Sequence, residues 1–182
     1  MTKPELADPV THDQTNVRRR RDALRVLLVD DEDMVRRCTA RSLSGFEIVC
    51  ASSGDEALAI LSNDTDFDAV LSDVMMPLMS GPEMFEHCYE LYPRLAQRFV
   101  FASGDPDGAR PLLLSAVARV GAEQTPALLT KPSATEALKL ALVAAAAHEE
   151  PRSGTWAIAS ERPRSENTRA KHPSVANGLG SR

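Results

Sequence analysis

The stretch LLVDDEDMVRR, residues 27–37, joins three apolar residues to four carboxylates and then turns basic. The acids are Asp30, Asp31, Glu32 and Asp33. An apolar run that leads into acids is typical of a strand followed by a helix, because Asp suits an N-cap and negative charge suits the positive end of the helix dipole. The stretch therefore predicts a β-strand, an acidic turn and a helix start.

Four further short apolar runs follow at intervals along the chain. Together with the first, they are VLLV (26–29), EIVC (47–50), DAVL (68–71), FVFA (99–102) and ALLT (127–130). The runs are continuous rather than alternating, which favours strands covered on both faces, as in a parallel sheet. Apolar residues at helical spacing fill the gaps between them. The pattern predicts an α/β fold: five βα units forming a doubly wound, parallel, five-stranded sheet.

Helix starts are indicated at three places after the third apolar run. Ser80 precedes a Gly-Pro pair, Pro111 suits a first helical turn, and Ser133 with Glu136 has the spacing of a capping box. These residues predict where the third, fourth and fifth helices begin.

Composition limits the class of protein. The chain has 182 residues, a hydrophobic fraction of 43% and a formal net charge of −5. No apolar run approaches the roughly 20 residues that cross a bilayer, and the first residues lack a secretory pattern, so we expect a soluble, cytoplasmic protein. The negative charge argues against nucleic-acid binding, and the arginines at 18–21 are interpreted as a solvated flank. The three cysteines, which include no CxxC pair, are predicted to be buried, reduced thiols.

Polar side chains follow four of the predicted strands. Asp30 and Asp31 end the first strand, Asp73 the third and Ser103 the fourth, and Lys131 follows the fifth. Because the carboxyl ends of parallel strands meet at one edge of a sheet, these side chains are expected to converge there.

The converging carboxylates predict a magnesium site. Three neighbouring carboxylates repel one another unless a cation is shared among them. Mg²⁺ prefers oxygen ligands and commonly binds phosphate oxygens as well. An aspartate in such a site can attack phosphorus and become an aspartyl phosphate, while an ammonium and a hydroxyl offset the charge of the transferred group.

Four motifs together resemble the receiver domain of bacterial two-component response regulators. They are VDDE (29–32), SDVMMPLMSG (72–81), FASG (101–104) and TKPS (130–133). The resemblance covers about residues 24–147 and implies a flavodoxin-like (βα)5 fold. It divides the chain into a receiver domain at 23–148, a disordered polar and basic tail at 1–22 and a disordered tail at 149–182.

The resemblance implies a role for each acid. Asp73 would be the phosphoacceptor, taking phosphate from a histidine kinase or phosphotransfer protein. Asp30, Asp31 and Asp73, with the backbone carbonyl of Met75, would hold Mg²⁺. The domain would catalyse only its own phosphorylation and dephosphorylation, and so would be a signalling domain rather than an enzyme.

The remaining motif residues would serve the phosphoryl group. The resemblance implies that Ser103 is the switch hydroxyl and Lys131 the phosphate partner, with a cis peptide bond between Lys131 and Pro132. Two positions depart from the family pattern: Leu128 stands where an aromatic residue is usual, which puts aromatic gating of the output face in doubt, and Ser133 where Phe is commoner.

Two other functions are compatible with parts of the sequence. DEDMV, residues 31–35, fits the DxDxV pattern of haloacid-dehalogenase-type phosphatases, with Asp31 as nucleophile. A pseudo-receiver that binds partners without phosphorylation is the other. We expect a single-domain response regulator that signals to an unknown output protein by a phosphorylation-dependent contact on the face of the fourth helix, fifth strand and fifth helix, with no DNA or membrane partner.

Overall fold

A computed structural model of the chain describes residues 23–148. The strands are β1 Arg25–Val29, β2 Glu47–Ala51, β3 Ala69–Asp73, β4 Phe99–Ser103 and β5 Ala127–Thr130. The helices are α1 Asp33–Ser42, α2 Gly54–Leu61, α3 Gly81–Leu91, α4 Pro93–Ala96, α5 Pro106–Val120 and α6 Thr135–Ala146. The predicted tails, 1–22 and 149–182, and the arginine run at 18–21 lie outside the described residues.

The five strands form one sheet in the order β2-β1-β3-β4-β5, and every neighbouring pair is parallel. Each predicted apolar run overlaps one strand, and the ends of the run and the strand differ by at most two residues. The predicted fold class is therefore confirmed. The short helix α4 is additional to the five predicted βα units.

The sheet separates two apolar layers, because successive residues of a strand point to opposite faces. Leu27 and Val29 of β1 face the layer that contains α2, α3, α4 and α5. Val26 and Leu28 face the other layer, which contains α1 and α6. Covered strands of this kind explain the continuous apolar runs in the sequence.

The start of α3 agrees with its sequence prediction, but the start of α6 does not. Ser80 and Glu83 form a capping box at α3. At α6 the N-cap is Ala134, which makes no side-chain capping bond. The Ser133 hydroxyl instead donates to the Thr130 carbonyl at 2.7 Å. The predicted capping box at Ser133 is therefore wrong, because this serine closes the turn that follows β5.

The predicted start of α5 at Pro111 is also wrong. The helix begins at Pro106, and the carboxylate of Asp105 caps it by accepting from the Gly108 amide at 3.1 Å. Pro111 lies inside the helix, one turn further on. Asp105 followed by Pro106 is itself a helix-start pattern, and it precedes the proline on which the prediction relied.

The cysteine prediction is correct at one position of three. Cys88 is buried in the core, and burial raises the pKa of its thiol to about 12. Cys38 and Cys50 are free thiols as predicted, but both are exposed. Cys38 lies on α1, and Cys50 lies on β2, a strand at the edge of the sheet where cover is incomplete.

Candidate functional site

The site lies at the carboxyl edge of the sheet. Asp30 directly follows β1, Asp73 ends β3, Ser103 ends β4 and Lys131 directly follows β5. These four residues line one open cavity of about 790 Å³. The structure therefore brings together residues that are separated by up to about a hundred positions in the sequence, as the parallel arrangement of strands predicts.

Lys131 forms ion pairs with two buried acids, Asp30 and Asp73. Its Nζ lies 2.7 Å from Asp30 Oδ2 and 3.0 Å from Asp73 Oδ2. Asp30 is only 3% exposed and Asp73 8%. Burial lowers the pKa of Lys131, but hydrogen bonds and charge from Asp30 and Asp73 outweigh it, so that the pKa is raised. The lysine therefore stays charged at neutral pH and offsets part of the repulsion between the two carboxylates.

Asp31 joins these two acids in a cluster. One carboxylate oxygen each from Asp30, Asp31 and Asp73 lies within 4.8 Å of the others. Asp30 Oδ1 also accepts from the Glu32 amide at 2.9 Å, which fixes the turn after β1. Three hard oxygen donors this close together, two of them from residues that line the open cavity, fit a divalent cation such as Mg²⁺.

The loop between β3 and α3 holds Asp73 in place. The Asp73 Oδ1 atom accepts from the Met75 amide at 3.4 Å. Gly81 lies directly against the Asp73 backbone, so that an added Cβ would come within 2.1 Å of the Asp73 carbonyl oxygen. Its amide donates to the Val74 carbonyl at 3.1 Å. A side chain at position 81 would therefore push the Asp73 backbone away, and the close packing of this loop requires glycine there. Met75, whose carbonyl is the predicted fourth ligand, lines the cavity.

The Ser103 hydroxyl is engaged with the turn into α5. It accepts from the Asp105 amide at 3.1 Å and donates to the Asp105 carbonyl at 3.1 Å. The side chain is 1% exposed. The Lys131 amide also donates to the Ser103 carbonyl at 2.7 Å, which links the ends of β4 and β5. Ser103 is thus close to the acids but bonded to the start of the next helix.

The peptide bond between Lys131 and Pro132 is cis, as the resemblance implied. Leu128, at the position where an aromatic residue is usual, is partly buried and packs against the core layer that contains α5. A leucine there leaves no aromatic ring to turn inward.

Two residues that contact the site were not predicted from the sequence. Asp105 holds the Ser103 hydroxyl, and its Asp-Pro context was visible in the sequence. Arg36 donates through Nη1 to the Asp30 carbonyl at 2.6 Å. Its only sequence indication was its position three residues after Asp33, on the same side of a helix.

Asp33, which the phosphatase alternative requires as its second acid, is paired elsewhere. Its Oδ1 atom lies 3.0 Å from Arg36 Nη2, and its Oδ2 atom lies 3.1 Å from Arg37 Nε. It lies in the first turn of α1. Asp33 is therefore a helix-start residue, as the sequence pattern favoured.

Among the described helices, none has both the length and the apolar character that crossing a membrane requires.

A family model described as response regulator receiver domain matches residues 26–143. Among curated proteins, the sensor kinase CckA of Brucella abortus is 39% identical over 99 residues, which are 53% of this chain and 10% of that protein. The regulatory protein AtoC of Escherichia coli is 51% identical over 59 residues, which are 31% of this chain and 13% of that protein. The chain thus spans only a small part of the length of these relatives.

Solved structures agree with the family match. A response regulator receiver domain protein from Clostridium thermocellum is 26% identical, with a TM-score of 0.56, over 68% of this chain and 94% of that one. A CheY-like receiver domain protein from Methanospirillum hungatei is also 26% identical, with a TM-score of 0.57 and the same shares of each chain. In both cases the likeness covers nearly the whole of the solved domain.

Proposed function

Because the chain belongs to the family of response regulator receiver domains, we propose that it is a phosphoacceptor in a two-component phosphorelay, with Asp73 as the acceptor. The observation that carries the proposal is the ion pair of the buried Asp73 with Lys131, inside a cluster of three carboxylates. A carboxylate held in this way can attack phosphorus, and the neighbouring ammonium lies ready for the transferred group.

The proposed donor is a phosphohistidine on a histidine kinase or phosphotransfer protein. A carboxylate oxygen of Asp73 forms the new bond to phosphorus, the bond from phosphorus to the imidazole nitrogen breaks, and the imidazole leaves with that electron pair. The phosphoryl group ends on the chain itself, so the chain would be a signalling domain rather than an enzyme that turns over a separate substrate. A histidine kinase or phosphotransfer protein as donor supports the cytoplasm as the proposed location of the chain.

Asp30, Asp31 and Asp73, with the Met75 carbonyl, would hold Mg²⁺. When bound, Mg²⁺ supplies positive charge against the phosphoryl oxygens. The chain's own residues then orient the acceptor: Lys131 keeps Asp73 in place before transfer and donates to a phosphoryl oxygen afterwards, since its ammonium has three donors and already contacts both acids.

Ser103 would couple phosphorylation to α5. Its hydroxyl now bonds to Asp105, which caps that helix. To donate to a phosphoryl oxygen, the hydroxyl has to leave the Asp105 carbonyl. The start of α5 therefore changes its hydrogen bonding when the phosphate arrives.

Output is proposed to be a phosphorylation-dependent protein contact on the face formed by α5, β5 and α6. Helices α5 and α6 expose four apolar side chains, those of Leu112, Leu114, Leu140 and Val143. A binding assay with and without phosphodonor tests this proposal, with Asp73→Asn as the unphosphorylated control. Recovery of the same partners at the same strength in all samples would count against it.

Phosphate uptake tests the acceptor function directly. Wild-type protein incubated with acetyl phosphate and Mg²⁺ is expected to gain one phosphoryl group per chain by intact-mass analysis. Asp73→Asn protein, or wild type in EDTA, is expected to gain none. Equal uptake by Asp73→Asn would overturn the assignment of the acceptor.

A further inference from the structure

Arg36 reaches from α1 back to the turn that carries the acidic cluster. Its Nη1 donates to the backbone carbonyl of Asp30 at 2.6 Å, and its Nη2 donates to Asp33 Oδ1 at 3.0 Å. Only 15% of the side chain is exposed, although arginines are mostly exposed in proteins. The guanidinium therefore joins the end of β1 to the first turn of α1.

This contact completes the hydrogen bonding of Asp30. The Asp30 amide donates to the Ala51 carbonyl at 3.2 Å. Its two carboxylate oxygens accept from the Glu32 amide and from Lys131. The remaining polar group is its carbonyl, which Arg36 binds. Since Asp30 is 3% exposed, removing the guanidinium would deprive a nearly buried carbonyl of this partner, which favours a shift of the turn.

We propose that Arg36 is a positioning residue that fixes the turn of Asp30 and Asp31 in the geometry that binds a divalent cation. The inference rests on the proposed function, because it concerns the affinity of the same acidic cluster for Mg²⁺. Arg36 acts through Asp30 and is not itself a ligand.

The direction of the effect separates positioning from simple electrostatics. A positive charge near a cation site repels the cation, so its removal alone tightens binding. Loss of a hydrogen bond that orients a ligand residue has the opposite effect and typically weakens metal binding about 10- to 100-fold. Weaker binding after loss of the arginine charge is therefore specific to positioning.

Arg37 provides a matched control on the same helix. It binds the other oxygen of the same carboxylate, with Nε 3.1 Å from Asp33 Oδ2, and its side chain is 70% exposed. Replacing either arginine with methionine removes one charge and one ion pair with Asp33 while keeping an unbranched side chain of good helix propensity. Only the replacement of Arg36 also removes the bond to Asp30.

Calorimetric titration of the metal-free, full-length variants with Mg²⁺ tests the proposal. Arg36→Met is expected to bind Mg²⁺ about 10-fold more weakly than wild type, and Arg37→Met to stay within roughly twofold because its ion pair is exposed. Equal affinities of the two variants, or tighter binding by Arg36→Met, would overturn the proposal.

A second readout excludes a general loss of structure. The initial rate of phosphorylation by acetyl phosphate is measured against Mg²⁺ concentration. Arg36→Met is expected to need about 10-fold more Mg²⁺ for half-maximal rate but to reach the wild-type maximum. A lower maximum with an unchanged half-saturation point would contradict positioning of the metal site.

The outcomes also separate this proposal from the proposed function. If wild type binds Mg²⁺ but takes up no phosphate, the proposed function fails, and the calorimetric comparison still decides the role of Arg36. If wild type binds no Mg²⁺, both fail. Should Arg36→Met not fold, Arg36→Lys replaces it, because lysine keeps the charge without the planar fork. Weaker Mg²⁺ binding by Arg36→Lys than by wild type supports the proposal, and unchanged binding overturns it.

Discussion

Lys131 and the two acids it contacts are the residues on which the site depends most. Of the three, the aspartates are almost fully buried, and the lysine is 22% exposed. Charges withdrawn from water are costly unless they are paired. The two aspartates can therefore both stay ionised at low cost only while a cation lies between them, either the Lys131 ammonium or a metal ion.

Replacing this lysine tests that dependence. Lys131→Met is expected to lower the free energy of unfolding of the metal-free protein by about 1–3 kcal/mol, because two nearly buried carboxylates lose their counter-charge. Urea unfolding in EDTA measures it. Lys139→Met is the control, since Lys139 pairs with the exposed Glu136 at 3.8 Å and is expected to change stability by less than about 0.5 kcal/mol. Equal losses in the two variants would contradict the account.

The raised pKa of Lys131 also fixes how its contribution depends on pH. A raised pKa in the folded state means that the stabilisation is complete below the unfolded pKa of about 10.4 and is lost as pH rises through the folded value. The stability difference between wild type and Lys131→Met is therefore expected to be constant near neutral pH and to shrink above about pH 10.4. Urea titrations at a series of pH values measure it. A difference that grows with alkaline pH would be inconsistent with this assignment.

At the scale of elements, the strands were predictable and the helix starts were less so. An apolar run covered on both faces reports burial directly, and β1 and β4 agree with their runs to one residue. A helix start depends on which of several nearby polar side chains accepts hydrogen bonds from the backbone amides of the first turn. Asp105 caps α5, which begins at Pro106 and not at Pro111, so the helix starts earlier than predicted. The Ser133 hydroxyl donates to the Thr130 carbonyl and does not cap α6.

The candidate site divides in the same way. Convergence of Asp30, Asp73 and Lys131 follows from parallel strands and was predictable. The bond from Arg36 to the Asp30 carbonyl was not, because it depends on how far a helical side chain bends back over its own first turn. The contact of Ser103 with Asp105 likewise depends on the path of the loop into α5.

The connection between β3 and α3 offers a test of how tightly an element holds the acceptor. Gly81→Ala places a Cβ 2.1 Å from the Asp73 carbonyl oxygen. It is expected to cost about 1–3 kcal/mol of stability through overpacking and to weaken Mg²⁺ binding by moving Asp73. Urea unfolding and calorimetry measure the two effects.

Gly104→Ala is the control for this substitution. Gly104 follows β4 at the same edge of the sheet, and a Cβ built there meets no atom within 4 Å. We expect a stability change within about 0.5 kcal/mol. If Gly81→Ala were as stable as Gly104→Ala and bound Mg²⁺ as tightly as wild type, the prediction would be wrong, because the loop would accommodate the Cβ without moving Asp73.

At the scale of the whole molecule, the opposite edge of the sheet carries a second cluster of charged residues, centred on Arg25, that takes no part in the site. Arg25 begins β1, and its Nε lies 2.8 Å from Glu47 Oε1 while its Nη1 lies 2.6 Å from Asp64 Oδ2. Its guanidinium also lies over the buried Phe67 ring, 4.4 Å from the centroid. The partners are 22 and 39 residues away, so sequence patterns could not reveal this cluster.

Arg25→Met is therefore expected to reduce stability without altering the site. The expected loss is about 1–3 kcal/mol, because two ion pairs and a cation–π contact disappear at a side chain that is only 16% exposed. Urea unfolding measures it. Phosphate uptake from acetyl phosphate, measured where the variant is fully folded, is expected to match wild type, and a slower uptake there would show that the two edges are coupled.

The central claim is that Asp73, and not Asp31 in the turn after β1, carries the phosphate. The most direct measurement is peptide mapping by mass spectrometry after the full-length protein has reacted with acetyl phosphate and Mg²⁺. We expect the modification on Asp73. Modification of Asp31 would contradict it and favour the phosphatase alternative.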